Sequence, residues 1–299
     1  MIQKVFISLF VCFAFTTNYA QQPSKPKPKG APKSTFQQGA VEQRAYVNQP
    51  KPEKIYYVDI LTTLGNIRVG LFNETPQHRD NFLKLVREGF YDSLLFHRVI
   101  NGFMIQGGDP LSRYAEMGAP LGMGDVGYRI SPEIVPGIYH KRGALAAARD
   151  NNPDRASSGC QFYIVQGKKF TPAELRDMIN AINKTKKLDM FSKLMAVDTN
   201  KVRIDDFRLR GDDKGLEKYM LQLQPILDTL FEPYFFKPDP NYVQLYTSIG
   251  GAPHLDRDYT VFGEVVRGME VVDRIAELQT GNGNRPVTDI RFRMRIVNP

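Results

Sequence analysis

Two periodicities of apolar and polar positions organise this chain beyond residue 54. Ile55 to Leu61 and Ile67 to Phe72 are β-rich runs joined by the short Gly-containing stretch Thr62 to Asn66, which predicts a hairpin. Thr75-Pro76 then opens a segment where Phe82, Leu83, Leu85 and Val86 recur at helical spacing until Gly89. This predicts a capped helix with proline near its start. Short β-like segments follow at Phe96 to Ile100, Met104 to Gln106, Ala144 to Ala148 and Phe162 to Val165. Val261 to Val266 and Ile290 to Val297 complete the set, with a helix from Met269 to Leu278 between them. Many short strands around turn signals, with only two helices, predict a mainly β fold closed into an antiparallel barrel.

One stretch breaks the pattern. From about Lys168 to Asn241 the composition becomes helical and charged. Thr171-Pro172-Ala173-Glu174 has the chemistry of a helix start, with Thr171 as N-cap and Pro172 in the first turn. Leu175, Met178, Ile179 and Ile182 mark one apolar face, and a second helix is predicted over about Leu216 to Phe231. Residues 168–241 therefore read as a helical insertion into a barrel domain of residues 54–299. No internal repeat is visible.

The first 54 residues follow different rules. Lys4, an apolar run from Val5 to Phe15 and a polar stretch ending in Ala20 make the layout of a cleavable signal peptide over residues 1–20. The run is short of the roughly 20 apolar residues a membrane-spanning helix needs. A retained anchor is the alternative. A lipoprotein reading of Cys12 is disfavoured because Val11, not a small residue, precedes it. Residues 21–53 are rich in Pro, Lys, Gln and Ala and predict a flexible tether, whether a mere spacer or a binding element. The expectation is an exported protein, periplasmic in a Gram-negative cell and otherwise secreted or surface-associated, with no stable membrane span after signal removal.

Charge changes the picture less than its total suggests. The formal net charge is +8. Residues 21–54 carry Lys25, Lys27, Lys29, Lys33, Arg44, Lys51 and Lys54 against Glu42 and Glu53, and Lys4 lies in the leader, so the rest holds only +2. A body so near neutrality gives no footprint for nucleic acid. Cleavage after Ala20 would leave Cys160 as the sole thiol, which excludes an internal disulfide framework. His78, His97, His140 and His254 show no metal-ligand spacing, so neither metal nor other cofactor is expected.

The most informative segment runs from Phe96-His97-Arg98 through Gly102-Phe103-Met104-Ile105-Gln106-Gly107-Gly108 to Asp109-Pro110. It sets one arginine near an apolar shelf of Phe103 and Met104, with Gln106 close by. The glycines let the backbone turn and approach a ligand. Two readings stand at this level: a site for a hydrophobic ring next to a polar amide, or an ordinary strand with an exposed arginine.

The full fifteen-residue run closely resembles the signature of cyclophilins, the peptidyl-prolyl cis/trans isomerases. So do Asn81-Phe82, Gly89-Phe90-Tyr91, Tyr139-His140-Lys141-Arg142-Gly143, Leu145 to Arg149, Ser158 to Ile164, Pro253-His254-Leu255-Asp256 and Tyr259 to Val265. The similarity covers about residues 54 to 167 and 242 to 299. It implies an eight-stranded antiparallel barrel capped by two helices, with a substrate groove on its outer wall. Residue by residue, Arg98 matches the catalytic arginine, assisted by Phe103 and Gln106. Met104, Tyr163 and Leu255, with Phe103, match the walls of the proline pocket. Gln161 and the backbone around Ala148 and Arg149 match groups that bind the substrate backbone, and His97, His254 and Tyr259 fall within the same site. The implied partners are unfolded or flexible proline-containing polypeptides met by a monomer; the alternative is a proline-binding chaperone or scaffold with little turnover.

Four departures stand out. His254 occupies a position where many eukaryotic members have tryptophan, and Tyr259 one where they have histidine, which weighs against tight cyclosporin binding. Arg149-Asp150 replace small or amide residues, and Cys160 replaces a common serine. The insertion leaves just after Tyr163 and returns just before His254, so it is expected to border the groove.

Overall fold

The computed structural model describes residues 55–297; the expected signal peptide and tether lie outside the described residues. β1 (Tyr56–Thr62) and β2 (Gly65–Leu71) form the expected hairpin, with Thr62 opposite Gly65 across a two-residue turn. Gly65 sits at φ +129°, which few side chains tolerate. Alternation along the hairpin turns Val58, Ile60, Ile67 and Val69 inward, all fully buried. α1 (Pro76–Arg87) follows and ends before Gly89, which lies at φ +65°. Thr75 makes no side-chain cap. Glu133 takes that role from a distant loop, accepting from Gln77 N at 3.0 Å and His78 N at 2.9 Å.

The remaining strands are β3 (Leu94–Leu95), β4 (Arg98–Ile100), β5 (Met104–Gly107), β6 (Arg129–Ile130), β7 (Ala144–Ala147), β8 (Ser157–Ser158), β9 (Phe162–Val165), β10 (Val261–Arg267) and β11 (Arg291–Val297). Nine of them make one antiparallel sheet in the order β3-β11-β1-β2-β10-β7-β9-β5-β4, and β6 pairs separately with β8. The two edges of the large sheet, β3 and β4, are consecutive parts of one stretch, 94–100. That bent segment pairs with β11 at one end and with β5 at the other. Counted as one strand, it closes the expected eight-stranded barrel and leaves no free edge. α1 and α6 (Met269–Ala276) bury Phe82, Leu83, Val271, Val272 and Ile275 in the same core as the inward-facing strand residues.

The helical stretch holds more than two helices: α2 (Pro172–Ala196), α3 (Asp198–Leu209), α4 (Asp213–Phe231) and α5 (Pro240–Ser248). Thr171 caps α2 as the sequence indicates, in a reciprocal box with Glu174. Phe170, Leu175, Ile179, Tyr242 and Tyr246 form a small core joining α2 to α5, with Tyr139 packed against it. A second cluster of Ile204, Tyr219 and Leu223 joins α3 to α4. The stretch is pinched at its base: Lys168 N donates to Gly251 O at 3.3 Å, and Gly251 N donates to Lys168 O at 2.9 Å. A Cβ on Gly251 would lie 2.2 Å from His140 O, so only glycine lets the returning chain pass so close.

On the outer wall Asp59 is buried at 4% exposure, taking Arg68 Nε at 2.7 Å and Arg295 Nη2 at 3.2 Å. The hydrogen bond from Arg68 holds its carboxyl below the ordinary value. A depressed carboxyl stabilises the fold above its unfolded pKa of about 3.9, and that contribution is lost as pH falls through the lower folded value. Asp59→Asn is therefore expected to destabilise at pH 7 by on the order of 1 kcal/mol. Urea unfolding of both proteins should show the gap shrinking toward pH 2.5; a gap constant with pH would refute the assignment.

Candidate active site

Pairing register builds the site. Arg98 lies opposite Gln106, Gln106 opposite Tyr163, and Tyr163 opposite Ala146. One row thus crosses β4, β5, β9 and β7 on the outer face, while Ile105, Phe162, Ile164 and Leu145 point into the core. Period-two alternation adds Met104 and Ala148 to that outer face. Met104, Ala146, Ala148, Tyr163 and Leu255 form a separate apolar cluster there, with Phe103 and Tyr259 packed against it. The barrel wall is buried on both sides at this point, which is why β7 and β9 are apolar throughout.

A cavity of about 320 Å³ opens over this cluster. Arg98, Phe103, Gln106, Met104, His97, Ala148, Arg149, Tyr163, Leu255 and Tyr259 all line it. Two expected residues do not. Gln161 stands one step behind, its Oε1 accepting from Gln106 Nε2 at 3.0 Å. His254 stands at the edge, its ring 5.1 Å from that of Phe103. Leu121, Gly122 and Met123 complete the lining and were not singled out from sequence. Asp109 places that loop: its carboxylate accepts from Gly122 N and from Leu111 N, and a Cβ on Gly124 would strike it. The available signal was the run of glycines at 118, 122, 124 and 127 soon after the Gly-Gly-Asp turn.

Polar groups in the cavity are held in series. Arg98 Nη1 donates to Gln106 Oε1 at 3.0 Å, and Gln161 Nε2 donates to Gly124 O at 2.7 Å and Gly122 O at 3.0 Å. The chain fixes both amide orientations and leaves the guanidinium with further donors to spend on a ligand. Arg149 lies over Tyr259, 4.5 Å from the ring centre, and donates to Asp258 O and Asp150 O. Burial drives the His97 pKa down to about 4, so its ring is neutral at pH 7. His254 is lowered as well, by burial and then by neighbouring His140. No proton-transfer pair is present among the lining side chains, so the cavity suits binding and electrostatic work. Cys160 is buried and its thiol is pushed up to about 12, chiefly by burial, which makes it unreactive at neutral pH.

A second arrangement superficially suggests a hydrolase. Ser157 Oγ lies 3.0 Å from His78 Nε2, and His78 Nδ1 lies 2.7 Å from Glu133 Oε2. Ser157 and His78 are 1% and 2% exposed, and the space beside His78 amounts to about 10 Å³. No substrate fits there; the trio satisfies buried polar groups under α1. Among the described residues no helix is long and apolar enough to cross a membrane, and no cluster of His, Cys, Asp or Glu could hold a metal.

The structure is thus an antiparallel barrel with an apolar, arginine-bearing cavity on its outer wall. The family model for the cyclophilin type peptidyl-prolyl cis-trans isomerases matches residues 57–195 and 236–295, and the chain belongs to that family. A peptidyl-prolyl cis-trans isomerase of Arabidopsis thaliana is 25% identical over 79% of this chain and 91% of its own length. A putative peptidyl-prolyl cis-trans isomerase of Staphylococcus aureus is 29% identical over 77% and 85%. A putative bifunctional phosphatase/peptidyl-prolyl cis-trans isomerase of Streptococcus pyogenes is 31% identical over 78% of this chain, which spans only 37% of that protein. A crystal structure of a Cryptosporidium parvum cyclophilin type isomerase with the dipeptide Ala-Pro aligns at a TM-score of 0.46 and 19% identity, over 81% of this chain and 99% of that one. The family match is interrupted at 196–235, within the helical stretch.

Proposed function

We propose that this isomerase accelerates X-Pro isomerisation in exported polypeptides as they fold, with Arg98 stabilising the twisted amide. The series Arg98–Gln106–Gln161 beside an apolar wall is the observation that supports this reading most directly. Rotation about a peptide bond faces about 18–20 kcal/mol because of amide resonance. Uncatalysed isomerisation takes about 10–100 s, and reaching milliseconds requires roughly 5.5–7 kcal/mol off that barrier. In the twisted state the prolyl nitrogen regains its lone pair and accepts a hydrogen bond it could not accept when planar. A guanidinium donor fixed beside that nitrogen therefore favours the twisted state over the ground state.

In this scheme Phe103, Met104, Tyr163 and Leu255 hold the ring and exclude water. Gln106 anchors the moving carbonyl. The backbone at Ala148 and Arg149 receives the substrate chain, with Gln161 holding Gln106 from behind, while His97, His254 and Tyr259 shape the edge. Residues 1–20 act as the export signal, 21–53 as the tether, and 168–241 as an insertion that modulates the groove. The protein works as a monomer, in the periplasm or outside the cell. A binding protein with little turnover is the competing reading. A proline-limited refolding assay separates them: wild type should accelerate the slow phase and Arg98→Ala should not. Equal acceleration by both proteins, or by neither, would overturn the catalytic assignment.

A further inference from the structure

The helical stretch reaches the cavity from behind. No residue between Lys168 and Gly250 lines it among the described residues, yet one buried chain of hydrogen bonds runs from α5 to its wall. Tyr246 on α5 donates its hydroxyl to Asp256 Oδ2 at 2.6 Å. Asp256 Oδ1 accepts from His140 N at 2.8 Å and lies 2.9 Å from His140 Nδ1. His140 Nε2 lies 3.0 Å from the Tyr163 hydroxyl, and the two rings stack at 12°.

A carboxylate only accepts, so Nδ1 carries the proton in the neutral ring. Nε2 is then the acceptor, and the Tyr163 hydroxyl donates to it. Every hydroxyl and ring nitrogen in the series is used once, and Tyr246, Asp256, His140 and Tyr163 are between 0% and 8% exposed. Burial raises the hydroxyl pKa of both tyrosines, so each remains a donor throughout the working pH range.

We propose that Tyr246, Asp256 and His140 are positioning residues by which α5, the helix that returns the chain from the insertion to the barrel, sets the orientation of Tyr163, and hence the shape of the proline pocket. Asp256 directly follows Leu255, a second wall of the same cavity, so one carboxylate ties both walls to α5. A phenyl ring at 163 would keep the apolar contact and lose the tether that fixes its position. A hydrogen bond left half-made inside the protein is costly, so loss of the Tyr246 hydroxyl should be relaxed by movement of Asp256 and His140. The tyrosines themselves share no direct hydrogen bond or ring contact among the described residues. Substitutions at unconnected sites normally act additively.

This inference rests on reading the groove as an isomerase site, and its test separates the two. Tyr246→Phe and Tyr163→Phe are combined in a double-mutant cycle, with the peptide Ala-Ala-Pro-Phe as the probe, below the melting temperature of every variant. Tyr246→Phe is expected to lower kcat/KM about five- to tenfold in wild type, mostly through KM, and less than twofold in Tyr163→Phe. In protein carrying ¹³C-labelled tyrosine, the Tyr163 ring signal, identified by its loss in Tyr163→Phe, should shift in Tyr246→Phe. Equal factors in both backgrounds, or an unmoved Tyr163 signal, would overturn the relay. A shifted signal in a protein without turnover would sustain the relay and sink the isomerase reading. Should Tyr246→Phe fail to fold, Asp256→Asn takes its place in the same cycle.

Discussion

Arg98→Ala is expected to lower kcat/KM on a proline peptide by about a hundredfold to a thousandfold, the cost of removing one donor aimed at developing charge in an otherwise intact site. Nothing else in the cavity can replace it. Arg149 is engaged over Tyr259 and with two backbone carbonyls. His97 is neutral, and Gln106 is an uncharged amide with a single N–H left for a substrate carbonyl after its bonds to Arg98 and Gln161. Because the interaction is made only with the twisted amide, the loss should fall on kcat as well as kcat/KM, with KM changing little. Arg98→Lys should recover only part of it: lysine keeps the charge but not the planar fork that reaches Gln106 and the substrate together. Thermal stability should hold, since the one side-chain bond that Arg98 makes at 3.0 Å to Gln106 lies at a solvent-facing cavity. An Arg98→Ala enzyme with more than a third of wild-type kcat/KM would remove the arginine from the mechanism.

What the sequence disclosed, and what it hid, follows from the range of the interactions involved. A β-rich run is a local signal, so β5 and β9 could be placed as strands from residues alone, whereas the grouping of Met104, Gln106 and Tyr163 in one site came through the resemblance. Closure of the barrel was not local. It depends on Leu94-Leu95 pairing with β11 nearly two hundred residues away, while Arg98 to Ile100 pair with β5. α3 was missed because it begins at Val197-Asp198 directly after α2, with no glycine or proline between, and leaves Val202 and Leu209 exposed. α5 carries a readable start in Asp239-Pro240, the same chemistry as Thr171-Pro172, but it straddles the junction between the helical insertion and the resumed resemblance at 242.

The site divides the same way. Residues in the motif run and at 163, 255 and 259 were reachable through ordered resemblance, and the register explains why they converge. The 121–123 loop was not, because its place is fixed by one side chain, Asp109, reaching backbone amides. The relay from Tyr246 to Tyr163 leaves no periodic trace, since its four members come from α5, the turn before Tyr259, the approach to β7, and β9. The insertion expected to border the groove contributes no lining residue among the described residues, and the proposed link starts instead from α5, which follows it.

Phe162→Ala should produce the largest loss of stability. Its side chain is 1% exposed and lies within ring contact of Phe82, Tyr91, Phe96 and Phe292, at centroid separations of 5.7, 5.7, 6.2 and 5.8 Å. Those partners come from α1, the loop after it, the bent closing segment and β11, so this one ring joins elements that meet only when the barrel closes. Gly107, directly opposite in the ladder, cannot fill the gap; a Cβ there would already lie 2.9 Å from the Phe292 ring. A truncated aromatic in a rigid core loses both transfer energy and the contacts around the cavity left behind, about 3–5 kcal/mol. At about 2–4 °C per kcal/mol for a domain of this size, the melting temperature should drop by roughly 6–20 °C. Activity per folded molecule should fall far less than in Arg98→Ala, because Phe162 faces the core while its neighbours Gln161 and Tyr163 face the groove. Calorimetry alongside peptide kinetics checks both halves. A loss under about 1 kcal/mol would show that the barrel can close without this ring, and the alternation argument that separates core from groove on β9 would lose its main support.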